Sequence, residues 1–170
     1  MTTIETAQGA KTKAKKFSSE TIFGKEVMGH GFTALPNILV RGQARLGLST
    51  TQFNLLVQLL SYWIDPDRPP FPSKKELAKR VGLNPTTVRI NMAKLEERGL
   101  IRREQQVTAA GDYGSNIYHM DGLIDALKAL EPDFAEERAE RAARRAETER
   151  RQKKDEAAER ARQRGLVRRR

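Results

Sequence analysis

No carboxylate pair, His–Ser pair or metal-ligand cluster appears in this sequence at a spacing that would make or break covalent bonds or hold a metal. The 170-residue chain has no cysteine, which excludes zinc fingers, iron–sulfur sites, disulfide scaffolds and thiol catalysis. Its two histidines, His30 and His119, give too little material for a metal site. The glycine-rich segment 24–31 lacks the Gly-Lys-Ser/Thr ending of a phosphate-binding loop. We therefore expect no enzyme, no cofactor and no metal, and no site for a small-molecule effector is evident.

The chemistry that the sequence supports is attraction of polyanions. Thirty-two Lys and Arg against 22 Asp and Glu give a net charge of +10. Residues 71–107 alone hold nine basic and four acidic side chains. Such a surplus favours nucleic acid or an anionic membrane surface as partner. A merely solvated face is the alternative for any basic run.

Nothing in the sequence indicates a membrane protein. No apolar run approaches the ~20 residues that cross a bilayer. Met1–Ala10 lacks the charged start and apolar stretch of a signal peptide. We expect a cytoplasmic, nucleoid-associated protein with no membrane partner.

Composition divides the chain into three parts. Residues 1–30 hold Lys, Thr, Ala, Ser and Gly without an apolar period, which indicates a flexible basic arm. Residues 31–130 hold nearly all the large apolar side chains and are the only segment able to build a core. Residues 131–170 are rich in Ala, Glu and Arg, and Glu pairs with Arg or Lys at i, i+4 predict a solvated helical tail.

The first half of the core is predicted to be two helices and a loop. Pro36 suits the first turn of a short helix over 36–45. Ser49, with Gln52 three residues on, has the pattern of a capping box that starts a second helix. That helix is apolar on most sides, so we expect it to be buried, with Trp63 as core packing.

Two further helices follow in quick succession. Ser73 opens the first as its N-cap, and Gly82 ends it. Asn84 and Pro85 then act as the N-cap and first residue of a helix over 85–98. Two helices joined by a tight glycine turn are typical of a helix-turn-helix.

A hairpin is predicted to follow. Residues 100–107 are extended, 109–115 are rich in turn residues, and 116–120 alternate as a returning strand. Asp121 caps a last core helix, which we expect Pro132 to end or to restart. The expected fold is mainly α with a small β-hairpin: a winged helix-turn-helix core plus a C-terminal extended charged helix.

Two stretches carry a family resemblance. Residues 71–89 (FPSKKELAKRVGLNPTTVR) and 95–102 (LEERGLIR) resemble bacterial and phage winged helix-turn-helix DNA-binding proteins. Within that group they are similar to GntR- or MarR-like regulators and to phage or plasmid replication proteins, and segments 31–37 and 115–118 fit the same pattern. The resemblance covers roughly residues 31–125 and implies a winged helix DNA-binding domain within 31–130, with double-stranded DNA as partner.

Side chains near the start of the second helix suit base recognition. A helix entering the major groove presents its N-terminal residues to base edges. With Val88 facing the core, we expect Thr86, Thr87, Arg89 and Ile90 nearest the bases, where Arg pairs with guanine and methyl groups contact thymine. A solvated amphipathic helix is the alternative. The other candidate contacts, to phosphates or the wing's groove, are Ser73, Lys74, Lys75, Asn84, Lys94, Arg102, Arg103 and Tyr113.

The two ends of the chain leave several functions open. Lys11–Lys16 in the arm and the Arg-rich end 160–170 either contact nucleic acid or stay solvated. Alanines within 135–146 recur at a spacing of four and three, a weak coiled-coil pattern, so a homodimer is possible. The favoured function is sequence-specific transcription regulation, with recognition helix 85–98 in the major groove and wing 100–120 on the backbone or minor groove. The alternatives are a phage or plasmid replication initiation or primosome-type protein, and an interaction or RNA-binding protein acting through its tail.

Overall fold

The chain divides into two units, residues 1–33 and 34–170. The computed structural model describes residues 19–107, 109 and 111–167, so the arm lysines 11–16 lie outside the described residues. In the first unit, the described part holds two five-residue helices, α1 (Ser19–Phe23) and α2 (Lys25–Gly29). These helices occur where the sequence shows no helical apolar period.

The second unit is a helix-turn-helix followed by a two-stranded hairpin and a long helix, which confirms the expected fold class. Its elements in chain order are α3 (Asn37–Arg41), α4 (Thr50–Tyr62), α5 (Lys74–Val81), α6 (Pro85–Glu97), β1 (Arg102–Val107), β2 (Tyr113–His119) and α7 (Asp121–Val167). Fully buried leucines of α3, α4, α5 and α6 meet in one core, which Tyr118 and Leu123 complete from the hairpin and α7.

Helix α3 is shorter than the predicted 36–45. Pro36 is its N-cap residue and Gly42 its C-cap, with the Gly42 amide donating to the Ile38 carbonyl at 2.8 Å. Residues 42–47 continue as turns and not as helix. Glycine is a poor helix former, and Gly42 is buried beside Leu130, so the chain turns there.

Local rules predict the starts of the next two helices well. Ser49 and Gln52 form the expected capping box, with bonds of 3.2 and 2.9 Å. Ser73 caps α5 by accepting the Glu76 amide at 3.1 Å, and Gly82 ends α5 in the left-handed conformation at φ 66°. A left-handed residue is needed to reverse the chain within the tight turn, and glycine adopts it without strain.

The hairpin is longer on its return side than predicted. β2 begins at Tyr113, within the stretch expected to be a turn, and pairs Tyr113 with Val107 across an irregularity after Gln105. The two residues before β1, Leu100 and Ile101, are buried in the core and are not part of a strand. The Tyr118 amide donates to the Pro70 carbonyl at 2.8 Å, which fastens the hairpin to the α4–α5 loop.

The expectation that Pro132 interrupts the last helix is wrong. α7 runs without a break from Asp121 to Val167, with Pro132 inside it. Proline removes one i→i−4 hydrogen bond, and two residues later Phe134 is buried against α3. The guanidinium groups of Arg41 and Arg45 lie over its ring at 4.9 and 4.6 Å, and both also pair with Glu137. These contacts hold the helix after the proline, and Leu123 packs into the core before it.

Candidate nucleic-acid interface

Helix α6 is held from behind and left open in front. Val88, Met92 and Leu95 on its inner face are at most 1% exposed. Its N-terminus has the predicted cap: the Asn84 side-chain oxygen accepts the Thr86 amide at 2.8 Å, and Pro85 follows as the first helical residue. These contacts fix the orientation of the outer side chains.

The outer face carries the side chains expected to reach bases. Thr86, Arg89 and Ile90 are exposed, and Ile90 keeps 45% of its surface in solvent. Thr87 is half-buried, and its carbonyl accepts the Asn91 side-chain amide at 2.9 Å. In the part of the chain that the structure describes, Arg89 has no ion-pair partner. An exposed isoleucine beside an unpaired arginine and a threonine gives this face both hydrogen-bond donors and apolar contact for base edges.

The start of α5 offers a separate polar surface. The Ser73 hydroxyl already accepts the hydrogen bond that caps α5, whereas the side chains of Lys74 and Lys75 are exposed. Backbone N–H groups in the first turn of a helix have no carbonyl partner within it, and two ammonium groups beside them suit a phosphate.

The two wing arginines differ in their surroundings. Arg103 is engaged with α6: its Nε donates to Glu96 Oε2 at 2.8 Å and its backbone amide to Glu96 Oε1 at 3.0 Å. These hydrogen bonds lower the pKa of Glu96. Arg102 is exposed and lies 3.6 Å from Glu104. Arg103 therefore joins the wing to α6, while Arg102 faces solvent.

Glu104 lies at the centre of a small polar cluster at the root of the wing. His119 Nε2 is 2.9 Å from Glu104 Oε2, on the strand opposite. The hydrogen bond with His119 and the charge of nearby Arg102 lower the pKa of Glu104. Part of the positive charge of Arg102 is thereby offset within the protein.

The last cross-strand pair of the wing exposes two large apolar side chains. Tyr113 is 82% exposed and its cross-strand partner Val107 is 63% exposed. Residues 108 and 110 beside them lie outside the described part of the chain. An exposed aromatic and aliphatic pair suits contact with sugars in a groove more than contact with phosphate oxygens.

Two contacts that sequence reasoning missed hold the α5–α6 region to its neighbours. Arg98, the C-cap residue of α6, donates to the carbonyl of Gly47 and, at 3.4 Å, to that of Leu46. Arg80 lies 4.2 Å over the ring of Tyr62. Both pairs are far apart in sequence, so no local spacing signals them.

Tyr62 also connects α4 to α5. Its hydroxyl donates to Glu76, and burial together with that bond raises the pKa of Tyr62 to about 12. The side chain of Glu76 therefore bonds across to α4 and does not return to its own N-cap as in a full capping box.

The structure brings some candidate residues together and leaves others apart. Thr86, Arg89 and Ile90 share the outer face of α6, and Asn84 lies at the start of the same helix. Ser73, Lys74 and Lys75 form a group at the start of α5, and Lys94 is exposed a turn or more further along α6. Arg102, Arg103 and Tyr113 lie on the wing, at its root and at its tip.

Two kinds of feature, a membrane-spanning helix and a metal-binding cluster, are absent from the described residues. No helix in residues 19–167, apart from the undescribed positions 108 and 110, is long and apolar enough to cross a membrane. Over the same residues, no three His, Asp or Glu side chains are grouped so as to hold a metal ion.

A family model and one solved structure among the known proteins agree with this architecture. Residues 46–101, about a third of the chain, match a family model described as a helix-turn-helix domain. The N-terminal domain of DnaD protein from Geobacillus kaustophilus HTA426 is 20% identical, with a TM-score of 0.50 over 72% of this chain and 97% of that one. A possible transcriptional regulator from Methanosarcina mazei Go1 is 21% identical, with a TM-score of 0.41 over 61% of this chain and 82% of that one. No curated protein matches the sequence.

These observations define a class. The second unit has a winged helix-turn-helix fold: α5 and α6 form the helix-turn-helix, and β1 and β2 form the wing. The likeness to the DnaD domain is one of fold alone. The helix-turn-helix domain, matched independently of the fold, supports DNA binding by this chain.

Proposed function

We propose that the protein recognises a specific sequence in double-stranded DNA and regulates transcription at the site that it occupies. The observation that carries the proposal is the outer face of α6. It presents Thr86, Arg89 and Ile90 to solvent while the opposite face is fully buried. A helix fixed in this way can repeat the same side-chain contacts at every encounter, which reading a base sequence requires.

In the proposed complex, the N-terminal half of α6 lies in the major groove. Arg89 pairs with guanine, and Ile90 with the threonine methyl groups contacts thymine. Asn84 has its side-chain oxygen occupied by the cap, so its amide group is what remains to donate to a phosphate or base.

Phosphate contacts position the helix. We assign them to Lys74 and Lys75 with the free amides of α5, and to Lys94 on α6. On the wing, Arg102 faces the backbone and Tyr113 reaches toward the minor groove. Arg103 acts as a positioning residue, because its guanidinium is already bonded to Glu96.

Sequence-specific binding is enough for the protein to regulate transcription by occupying its site, and no catalytic activity is needed. A protein bound at a promoter excludes or recruits polymerase by its position. The domain that we assign to this role covers residues 31–130, with the arm and tail as flanking segments.

Selection of bound duplexes from a random pool tests the proposal. We expect one enriched motif with guanine at the position read by Arg89. A single inverted repeat near a promoter supports regulation, whereas tandem direct repeats indicate a replication role instead. Recognition by α6 is contradicted by three results together. The pool yields no enriched motif, deletion of residues 138–170 abolishes binding, and Arg89→Ala leaves binding unchanged.

A salt titration of the same complex tests the electrostatic part. If six to eight basic groups meet phosphates, the slope of log K against log salt is about −5 to −7. A flat response contradicts the assignment of the lysines and arginines to phosphates.

A further inference from the structure

The far part of α7 has one face without acidic side chains. At about 100° per residue, Glu149 and Glu147 bound an arc of about 160° that contains no Asp or Glu between residues 139 and 164. Alanines fill much of this arc. Its cations are Arg150, Lys153, Lys154, Arg160 and Arg164. We call this arc the acid-free face.

The ion pairs of the tail lie mainly elsewhere on the helix. Arg141 and Arg144 pair with acids one turn earlier, at 3.7 and 3.4 Å. On the acid-free face, Arg160 at its edge pairs with Glu156 at 3.6 Å. Among the described residues, the four other cations of the face have no carboxylate oxygen within 4.0 Å, and all are exposed. Four uncompensated charges thus lie along ~21 Å of one helix face.

We infer that the acid-free face binds the phosphate backbone of the duplex that α6 reads, as a second and sequence-independent contact. The inference rests on the proposed function for its ligand. Its own support is charge complementarity: an array of unpaired cations matches a strand with one phosphate per ~3.4 Å. The alanines between the cations let the helix come close to that strand.

Other occupants fit the face less well. In a second copy of α7 that presents the same face, Arg150 and Arg164 would meet like charges, which is unfavourable. An anionic membrane needs large apolar side chains to insert beside the cations, and alanine is the largest apolar residue of the face. A nucleic acid backbone requires only the charges.

The second contact adds affinity without adding sequence information. Phosphate contacts carry no base readout. Each phosphate neutralised on B-DNA adds about −0.9 to the salt slope. Because the face belongs to the same chain as α6, its binding is intramolecular once α6 is bound.

The test compares two triple variants of the full chain. The first, Arg150→Gln/Lys153→Gln/Arg164→Gln, removes three charges from the acid-free face. The matched control, Arg144→Gln/Arg151→Gln/Arg162→Gln, removes three charges from the opposite side of the same helix. Glutamine is a good helix former, and far-UV circular dichroism verifies that both variants keep α7. Anisotropy is measured from low to high salt on a labelled 30-base-pair duplex, with the selected motif or scrambled, and on single-stranded RNA of the same length.

We expect the first variant to lose about 2 to 3 from the magnitude of the salt slope on both duplexes, with an unchanged selected motif. The control loses less than about 1. Replacing Arg150 and Arg164 by Lys keeps the slope, since Lys also serves phosphates.

Equal losses in both variants would mean that net charge alone acts, which overturns the inference, as does an unchanged slope in the first. A loss seen only on single-stranded RNA of the same length assigns the face to RNA and also overturns it. Failure of the wild-type chain to prefer the selected motif rejects the proposed function, yet the scrambled duplex still tests the face.

Discussion

Helices α6 and α7 both expose cations, but they are held in different ways. α6 has three fully buried side chains over 13 residues, so its outer face is fixed by the core behind it. α7 contacts the core through its first part, as far as Phe134 and Glu137, and from residue 138 on every side chain described is exposed. There the helix is maintained by alanine and by ion pairs along its own surface.

The difference shows what each kind of recognition requires. Reading a base requires a side chain in one place to within a fraction of an ångström, and a buried rear face provides that. Attraction of phosphates requires charge of one sign at roughly the right spacing. α6 has the first property and the far part of α7 the second.

The largest expected effect is on the rear of α6. Leu95→Ala removes a completely buried side chain and leaves a cavity, so the free energy of unfolding falls by about 2–5 kcal/mol. Chemical denaturation of the full chain measures it. A loss below about 1 kcal/mol would show that α6 is not fixed by the core, and the contrast with α7 would disappear.

The front of α6 comes next. Arg89→Ala weakens binding to the selected duplex by about 1–3 kcal/mol and relaxes the preference at one base pair. Lys75→Ala is the control, since it removes a proposed phosphate contact and weakens selected and scrambled duplexes alike. Competition binding with both duplexes separates the two. Equal behaviour of the two variants would place Arg89 on a phosphate.

The bond between Arg103 of the wing and Glu96 of α6 makes the stability of the α6 region depend on pH. Hydrogen bonding to Arg103 lowers the pKa of Glu96 below its ordinary value of 4.5, so the folded state favours the charged carboxylate. This stabilisation is present above the unfolded pKa and is lost as pH falls through the folded pKa.

Glu96→Gln therefore lowers the free energy of unfolding by about 1 kcal/mol at neutral pH, a figure kept low because the pair is partly exposed. The difference from wild type shrinks as the solution is made acid. Glu97→Gln, one residue away and exposed, is the matched control, since it removes a carboxylate that Arg103 does not bond. A difference that stays constant with pH would contradict the role of the Glu96 carboxylate.

The smallest effect belongs to the far part of α7. Gln152→Gly costs about 1 kcal/mol of local helix stability, because nothing but the helix itself holds this residue. Helicity by circular dichroism decreases slightly, while the unfolding midpoint of the core stays unchanged. A lower midpoint would reveal a packing partner for the tail and remove the distinction between the two helices.

Local rules account for most of what the sequence predicted correctly. The capping box at Ser49, the Asn84 and Pro85 start of α6, and the left-handed Gly82 depend on neighbours within four residues. The buried face of α6 follows from helical spacing alone. The outer face was predictable for the same reason, since it is what the buried face leaves exposed.

What the sequence did not reveal depends on contacts between distant residues. Arg103 was a candidate for DNA contact, but the fold brings Glu96 beside it. Arg98 reaches Gly47 across 51 positions. Pro132 has a strong local preference for ending a helix, and the contact of Phe134 with Arg41 of α3 and with Arg45 in the turn after it outweighs that preference.

The contact of Phe134 with α3 also has a consequence for dissecting the chain. Trypsin cuts after Lys and Arg, and beyond Phe134 such bonds recur in nearly every turn of a helix with no tertiary protection. Mild digestion would trim α7 back toward Arg138 and then slow, since the next bond on the core side follows Lys128, inside the packed part of the helix. The shortened fragment would keep α6 and the wing, and would allow base reading to be measured in the absence of the tail.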